Sequence, residues 1–345
     1  MEDCLARIFT HPVIQAPMVG VSTPQLAAAV SNAGGVGSLG IGASSVAAAQ
    51  HMIEETRGLT SAAFNVNVFC HPPAQRDQVL ETAWIEYLTP LFHEFDVSPP
   101  ADVKEIYKSF VEDDEALRML LAMRPAIVSF HFGLPPQEHI NALRDAGIIT
   151  LATATNLSEV RLIEDAGIDA IVAQGIEAGG HRGQFDLSEH DLGLSMSVLM
   201  RLLVRNTRLP VIAAGGIMDT RGVKAALTLG AAAVQMGTAF ILCPESGADS
   251  AYRAALKSER AADTRLTSAI SGRPARGLAN RFMEIGSIGP RVPSYPVAYD
   301  IGKTLYAVSK AQGSDAFGAY WAGQGAALAR EVPAAVLVAS ILSGI

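Results

Sequence analysis

Residues 210–238 read PVIAAGGIMDTRGVKAALTLGAAAVQMGT. A short apolar run is followed by a glycine turn, by a stretch with the apolar spacing of a helix, and by a second apolar run. Uninterrupted apolar runs of this length are typical of strands buried on both faces, as in a parallel sheet covered by helices. The stretch therefore predicts one strand–helix–strand unit of an α/β fold.

The same unit recurs along the chain. The apolar runs that we predict to be strands cover residues 13–20, 36–42, 63–69, 126–133, 148–155, 170–176, 210–216 and 232–242. Glycines are expected to end several of the intervening helices in the left-handed conformation, at Gly34, Gly147, Gly167 and Gly230. These repeated units favour a closed (β/α)8 TIM barrel over a doubly wound open sheet.

Capping residues predict where three of the helices begin. Thr23 precedes Pro24 and is expected to cap a helix that runs to residue 32. In the same way, we expect Ser158 to cap residues 159–166 and Thr220 to cap residues 221–229. Each of these helices would begin shortly after a turn that follows a predicted strand.

Two stretches depart from the repeated unit. Residues 70–125 form a long segment with double-proline turns at 72–73 and 99–100, which we interpret as an insertion after the third strand. Residues 246–345 are mixed in character and then strongly helical from about residue 301. We therefore expect a barrel domain over residues 1–245 and a mostly helical C-terminal extension over residues 246–345 that covers the active site.

Composition excludes several classes of partner. The chain has 26 basic and 34 acidic residues, a formal net charge of −8 without a basic stripe, so nucleic acid is not an expected partner. The cysteines at positions 4, 70 and 243 form no CxxC pair, which argues against a disulfide framework or a metal site and suits the reducing cytoplasm. The acidic start at residues 1–3 does not resemble a signal peptide, and the apolar run 332–345 is too short to span a membrane.

Glycines follow the last two predicted strands, at the end of the barrel where catalytic loops lie. One strand runs into Gly215 and Gly216, and the other runs into Gln235, Met236, Gly237 and Thr238. Backbone N–H groups at such turns and at helix N-termini bind anions, so the pattern predicts a phosphate site. The alternative is that these glycines only allow tight packing at barrel corners.

Two other predicted strands carry side chains that could contact a ligand, a thioether on the first strand and amides on the third. Ala16, Pro17 and Met18 end the first strand, where Met18 either lines the barrel top or fills the core. Asn65 and Asn67 share one face of the third strand. Buried amides need hydrogen-bond partners, so these two bind either a polar heterocycle or each other.

Two histidines lie at or after the C-terminal ends of predicted strands. His131 lies in the run SFHFG at 129–133, and His181 follows the sixth strand in the run QGIEAGGHRG at 174–183. A histidine at the mouth of a barrel is well placed for proton transfer, although a satisfied core histidine and an incidental loop histidine are the alternatives. The side chain of Gln174 points out of a buried strand, and its amide also needs a hydrogen-bond partner.

The extension contains a third group of polar residues. Tyr295, Tyr299 and Lys303 are spaced four residues apart in a segment that Pro296 is expected to start as a helix. One face of that helix would carry two phenols and an ammonium group, which could close a small anion pocket. The alternative is an ordinary amphipathic surface face.

Over most of its length the chain resembles class I nitronate monooxygenases, formerly called 2-nitropropane dioxygenases. The resemblance lies in the runs QAPM at 15–18, FNVN at 64–67, SFHFG at 129–133, EAGGHRG at 177–183, AGGI at 214–217 and QMGT at 235–238. The glycine runs are shared with a wider group of FMN-binding barrels. The run at 129–133 and the tyrosines and lysine at 295, 299 and 303 are the more discriminating features.

The resemblance implies that FMN is the bound cofactor and assigns roles to residues. The expected cofactor-binding residues are Ala16, Pro17, Met18, Asn67, Gln174, Gly179, Gly180, Gly215, Gly216, Gln235, Met236, Gly237 and Thr238, the last four at the phosphate end. The expected substrate-binding residues are Met18, Tyr107, His131, Tyr295, Tyr299 and Lys303. His181 would accept the α-proton of neutral nitroalkanes and His131 would orient the substrate, with the opposite assignment left open.

The implied activity is the oxidative denitrification of alkyl nitronates by dioxygen, which gives a carbonyl compound and nitrite. The resemblance suggests propionate 3-nitronate, a metabolic poison, as the physiological substrate, and we expect a cytoplasmic detoxification enzyme that is a monomer or a homodimer. An FMN-dependent NAD(P)H:quinone or enoyl reductase is the nearest alternative. A non-flavin barrel enzyme and a catalytically silent binding protein are more distant ones.

Overall fold

The computed structural model describes residues 11–345, so the expectations about residues 1–3 and Cys4 concern residues outside this range. Eight parallel strands form one sheet in the spatial order β1-β8-β7-β6-β5-β4-β3-β2. They are β1 Val13–Gln15, β2 Gly37–Gly40, β3 Phe64–Phe69, β4 Ile127–His131, β5 Ile149–Ala154, β6 Ala170–Gln174, β7 Val211–Ala214 and β8 Ala233–Met236. A parallel bridge between Ile14 and Val36 joins the two ends. The predicted TIM barrel is confirmed.

Helices surround the barrel and continue into the extension. They are α1 Pro24–Asn32, α2 Val46–Leu59, α3 Gln78–His93, α4 Asp114–Met123, α5 Gln137–Asp145, α6 Leu157–Asp165, α7 Met196–Asn206, α8 Thr220–Thr228, α9 Ser250–Leu256, α10 Arg281–Gly286, α11 Val297–Ala311 and α12 Ala334–Leu342. A small antiparallel sheet joins Gly180–His181 to Ala275–Leu278 and Thr264–Thr267. None of the helices within residues 11–345 is both long and apolar enough to cross a membrane.

Polar side chains cap the N-termini of several helices, and two of the three predicted capping residues are wrong. The side chain of Thr23 caps α1 as predicted. However, Asn156 rather than Ser158 caps α6, and Asp219 rather than Thr220 caps α8. In both helices an earlier Asn or Asp oxygen accepts a backbone N–H of the first turn, so the predicted caps lie inside the helix. The glycines at 34, 147, 167 and 230 have positive φ, as expected for helix C-termini.

The insertion after β3 and part of the extension share one hydrophobic core. Trp84 and Phe92 of α3 cluster with Phe282 of α10, Ile301 of α11 and Phe317. Complete burial of such side chains contributes roughly 1.5–3 kcal/mol each to folding. We call the two segments that share this core, residues 70–113 and 264–321, the cap.

The segment after residue 245 is more varied than a helical extension. It contributes two strands of the small sheet, and α12 leaves the cap to pack against α1 and α8 of the barrel. Its helical content is therefore confined to α9–α12 and two short 3-10 turns. The division into two domains at residue 245 stays a prediction.

Candidate active site

A cavity of about 450 Å³ opens at the carboxyl ends of the barrel strands. Every residue assigned above to catalysis, substrate or cofactor contributes to its wall: Ala16, Pro17, Met18, Asn67, Tyr107, His131, Gln174, Gly179, Gly180, His181, Gly215, Gly216, Gln235, Met236, Gly237, Thr238, Tyr295, Tyr299 and Lys303. Barrel strand ends supply one side and the cap supplies the other. The structure thus brings the predicted site residues together, while their individual roles stay predictions.

The turns after β7 and β8 form a glycine-lined corner of this cavity. Gly215 and Gly216 have φ of +123° and +70°, a region that side chains disfavour. Within residues 11–345, the backbone N–H groups of Gly216, Gly237 and Thr238 donate to no protein acceptor. Free donors on neighbouring turns are what an anionic group such as phosphate requires.

Gly179 has a packing reason of its own. A Cβ at this position would lie 2.5 Å from the backbone nitrogen of Gly323 in the extension. Any side chain would therefore push the extension away from the barrel. By contrast, a Cβ at Gly180 would meet nothing within 4 Å, so the backbone there faces open space.

The two asparagines of β3 are not bonded to each other. The Asn67 amide nitrogen donates to the carbonyl and hydroxyl oxygens of Ser129, at 3.0 and 2.9 Å. Asn65 also donates to Ser129, is completely buried, and lies outside the cavity wall. Of this pair, only Asn67 is placed to touch a ligand, and Ser129 orients it.

Gln174 shapes the loop that carries His181. Its amide nitrogen donates to the carbonyl of His181 at 2.9 Å, and its carbonyl accepts from the N–H of Gly183 at 2.8 Å. Arg182 reinforces the loop by pairing with Asp191 and by donating to Gln174. The partners that Gln174 needs are therefore supplied largely by the protein.

Both ring nitrogens of His131 are engaged. Nε2 lies 3.1 Å from the carbonyl oxygen of His181, which can only accept, so Nε2 carries the proton. Nδ1 then accepts from the hydroxyl of Thr153 at 3.0 Å. Burial lowers the pKa of His131 to about 4, so the ring is neutral at ambient pH. This arrangement suits a group that positions a ligand better than one that exchanges protons.

His181 keeps one ring nitrogen free. Nε2 lies 2.9 Å from the hydroxyl of Ser271, and that hydroxyl donates to the carbonyl of Arg273 at 3.1 Å. Ser271 therefore accepts from Nε2–H, which leaves the lone pair of Nδ1 available for a proton. Burial, with the charge of Arg273 second, lowers the pKa of His181 to about 3.

The cap places a phenol-rich wall opposite the strand ends. The ammonium of Lys303 donates to the hydroxyl of Tyr107 at 2.9 Å, and the indole N–H of Trp321 donates to the hydroxyl of Tyr299 at 3.2 Å. Burial raises the pKa of Tyr107 and of Tyr299 to about 12, so both phenols are protonated donors. The hydroxyl of Tyr295 is buried and has no partner within residues 11–345.

The expectation that one helical face carries all three residues is wrong. α11 begins at Val297, so Tyr295 lies before the helix while Tyr299 and Lys303 lie on it. The loop before α11 still turns Tyr295 into the cavity, where its ring lies 5.4 Å from that of His181.

Several site residues were not predicted. Trp321, whose ring lies 5.2 Å from His181, and Ser271 both come from the extension, and Thr153 comes from β5. Phe132 has a φ of +77°, which is unusual for a bulky residue, and lines the cavity between the two histidines. The alternating threonines in the run LATAT at 151–155, at the end of β5, are an available sequence signal for Thr153.

Comparisons with known proteins identify relatives of this chain. A family model described as nitronate monooxygenase matches residues 3–344. The chain is 57% identical to the nitronate monooxygenase of Pseudomonas aeruginosa over 99% of both chains. It is 56% identical to the nitronate monooxygenase of Paraburkholderia phytofirmans, over 96% of this chain and 91% of the relative.

Solved structures show the same relationship. The nitroalkane oxidase of Streptomyces ansochromogenes superposes with a TM-score of 0.91 at 38% identity, over 99% of this chain and 97% of that one. FabK of Thermotoga maritima superposes with a TM-score of 0.74 at 30% identity, over 99% and 94% of the two chains. A full-length family match and relatives of high identity lead to one conclusion: the chain belongs to the nitronate monooxygenase family.

Proposed function

We propose that the protein is an FMN-dependent nitronate monooxygenase that oxidises alkyl nitronates with dioxygen to a carbonyl compound and nitrite. The observation that carries the proposal is the convergence of three features on one cavity: glycine turns with free N–H donors, His181 with a free ring nitrogen, and the Lys303–Tyr107 pair. Family membership supports the same activity. Propionate 3-nitronate is the proposed physiological substrate.

The residues around the cavity fit FMN. The free N–H groups of Gly216, Gly237 and Thr238 suit its phosphate, and the open backbone face at Gly180 leaves room for a bulky group. Asn67 and Gln174 offer amide groups at the strand ends. A cavity of about 450 Å³ lies within the size range of small-molecule sites. When bound, FMN supplies the redox chemistry, and the protein binds, orients and excludes water.

The cap residues are suited to an anionic substrate. A nitronate carries its negative charge on the nitro oxygens. Lys303 supplies a positive charge at the mouth of the cavity, and the buried phenols of Tyr107 and Tyr299 supply protonated hydroxyls. Preorganised donors in a partly dry pocket stabilise such charge more strongly than water does. The unpartnered hydroxyl of Tyr295 adds a further donor for the substrate.

Neutral nitroalkanes need a base, and we assign this role to His181. Its Nδ1 lone pair is free, whereas both nitrogens of His131 are committed to protein groups. The low pKa of His181 keeps it proton-free over the working pH range. Loss of the α-proton creates a nitronate anion beside the new imidazolium, and this opposite charge offsets the weak proton affinity of the free ring. Substrates that arrive as nitronates bypass the step.

Location and assembly remain part of the proposal. The free and buried thiols of Cys70 and Cys243 suit a reducing compartment such as the cytoplasm. Dioxygen as the second substrate, the absence of nucleic-acid and membrane partners, and a monomeric or homodimeric state are likewise proposed.

An anaerobic titration tests the function directly. The FMN-loaded protein is mixed without oxygen with propionate 3-nitronate and, separately, with NADH. We expect the nitronate to change the flavin absorbance, NADH to leave it unchanged, and admission of air to release nitrite. Bleaching by NADH alone would instead support an FMN-dependent reductase, the alternative that the likeness to FabK favours. A protein that does not take up FMN would contradict the cofactor assignment.

A further inference from the structure

Arg273 is a buried cation beside the two active-site histidines. Its side chain is 2% exposed, and within residues 11–345 it forms no ion pair with a carboxylate. Arg182, which is equally buried, differs because it is paired with Asp191 at 2.8 Å. Burial lowers the pKa of Arg273 to about 10, so the guanidinium is still charged at neutral pH. An unpaired buried charge is strongly unfavourable and calls for a functional explanation.

Backbone carbonyls and one aromatic ring hold the guanidinium in place. Nε donates to the carbonyl of Arg182 at 3.3 Å, and Nη2 donates to the carbonyl of Gln184. The guanidinium carbon lies 4.2 Å above the ring centroid of Phe132, in the range of a cation–π interaction. These contacts fix the position of the charge, and the carboxyl of Glu159 acts on it only at a distance, without an ion pair.

Phe132 connects this charge to both histidines. Its ring centroid lies 4.5 Å from that of His131 and 5.7 Å from that of His181. Its backbone is held in the left-handed region at a φ of +77°, a conformation that persists only where surrounding contacts enforce it. The apolar ring also keeps water from screening Arg273, so the charge acts on the histidines through a medium of low polarity.

The same segment orients His181. Ser271, two residues before Arg273, accepts the Nε2–H of His181 and donates to the carbonyl of Arg273. Because the Arg273 side chain anchors its segment to the backbone of residues 182 and 184, it also fixes the position of Ser271. Arg273 therefore acts on His181 in two ways, through its positive charge and through the position of Ser271.

We propose that Arg273 is a positioning residue: it holds Ser271 against His181, and its buried charge lets the imidazole accept a proton from a neutral nitroalkane down to a lower pH than it otherwise could. This inference rests on the proposed function, in which His181 is the base. Arg273 lies outside the cavity wall and so acts through Phe132 and Ser271 rather than by touching substrate. Its effect would be confined to the turnover of neutral nitroalkanes at acidic pH and would be absent for nitronates.

The charges around His181 determine the sign of the expected effect. The titratable and charged groups that face it from the packed elements are Arg273, His131, Tyr295, Tyr299 and the Arg182–Asp191 pair. Burial is the main cause of the lowered pKa of His181, and the nearby positive charge of Arg273 is the second. Removing that charge raises the pKa toward the ordinary value of 6.5, so His181 becomes protonated at a higher pH and loses its function as a base there.

The test compares charge removal with charge retention. Arg273→Met keeps the length and loses the charge, while Arg273→Lys keeps the charge and loses the planar fork. Arg253→Met is the matched control, because Arg253 also holds backbone carbonyls without a carboxylate partner within residues 11–345. Histidine 13C NMR of the FMN-loaded protein, assigned with His181→Asn, reports the protonation of His181 independently of turnover.

We expect the titration midpoint of His181 to rise by on the order of one pH unit in Arg273→Met and to stay near the wild-type value in Arg273→Lys and Arg253→Met. The pH below which kcat/KM for nitroethane falls should be higher in Arg273→Met than in the wild type, and unchanged in the other two variants. An unchanged midpoint in Arg273→Met, or an equal shift in Arg273→Lys, would overturn the proposal. If Arg273→Met does not fold, a wild-type midpoint close to 6.5 would overturn it as well.

A different result would contradict the proposed function itself. If His181→Asn turns over nitroethane as well as the wild type does, His181 is not the base, whatever the NMR titration shows. If the base role holds and the midpoint does not respond to Arg273, only the inference about Arg273 is lost.

Discussion

The ammonium of Lys303 donates a hydrogen bond to the hydroxyl of Tyr107 over 2.9 Å, although the two residues are 196 positions apart in the chain. Tyr107 belongs to the insertion after β3, and Lys303 lies on α11 of the extension. This contact joins the two halves of the cap directly above the cavity. It also presents a positive charge where the proposed function requires an anion to bind.

Replacing Lys303 should weaken the binding of nitronates. In Lys303→Met the cation at the mouth is lost, so we expect KM for an alkyl nitronate to rise by roughly tenfold, the lower end for a charge-assisted contact because Lys303 is exposed. Steady-state kinetics at low ionic strength measures this effect. Added salt should narrow the difference between variant and wild type, since exposed charges are screened.

Lys310→Met is the control for Lys303→Met. Lys310 lies on the same helix, pairs with Asp249 and is not part of the cavity wall. An equal rise in KM in both variants would indicate a general effect of charge rather than a substrate contact.

Loss of His181 should separate two classes of substrate. His181→Asn removes the proton acceptor, and we expect kcat/KM for neutral nitroethane to fall by about 10²- to 10⁴-fold, the usual contribution of a general base. The same variant should retain most activity on ethyl nitronate, because that substrate has already lost its proton. Parallel kinetics on the two substrates measure the ratio.

His51→Asn provides the comparison for this variant. His51 is exposed on α2, so neither substrate should be affected. Equal losses on nitroethane and ethyl nitronate in His181→Asn would exclude a role specific to proton removal.

The glycine turn after β7 should determine cofactor affinity. Gly216→Ala forces a side chain into a backbone with a φ of +70° at the proposed phosphate corner, so we expect FMN to bind at least about tenfold more weakly. Fluorescence titration of the protein with FMN measures the dissociation constant.

Gly147→Ala imposes the same backbone cost elsewhere. Gly147 has a φ of +75°, and a Cβ there would meet nothing within 4 Å. This variant should lose about 1 kcal/mol of stability while binding FMN normally. If both variants lose FMN equally, general destabilisation rather than the corner explains the loss.

The depressed histidine pKa values predict acid sensitivity. His131 and His181 titrate near pH 4 and 3 in the folded protein, against 6.5 when unperturbed. Below pH 6.5 the unfolded chain binds protons that the folded chain does not, so stability is full above 6.5 and falls with decreasing pH. The loss is at most about 1.4 kcal/mol per histidine per pH unit, and less here because neither ring is completely excluded from solvent.

Urea unfolding at several pH values measures this slope. In His131→Gln one of the two titrating rings is absent, so stability should depend less steeply on pH between 6.5 and 4. A slope identical to that of the wild type would show that His131 does not contribute.

The barrel could be predicted because each strand is a local apolar run closed by a local glycine signal. Residues 210–238 alone contain β7, α8 and β8 in the predicted order. Strand ends are less predictable: β8 stops at Met236, whereas the apolar run continues to residue 242, because the backbone turns into a short 3-10 helix at Thr238. Periodicity does not distinguish these two conformations.

From local sequence signals, the barrel side of the site was predictable because its residues lie at strand ends. His131 was identified by its position at the end of β4, and His181 by its position after β6. Ser271 and Arg273 escaped detection because no local pattern connects them to the barrel; they reach His181 through the small antiparallel sheet, in which Ala275 pairs with His181. Local sequence patterns do not predict a strand pairing between residues so far apart in the chain.

The core shared by α3 and the extension also constrains the order in which the protein can be completed during synthesis. Trp84 leaves the ribosome long before Phe282 and Phe317, its partners in the hydrophobic cluster. Until the last quarter of the chain has been translated, residues 264–321 are missing, and the cap above the strand ends is incomplete. The proposed flavin site is therefore completed only after all eight barrel strands have been synthesised.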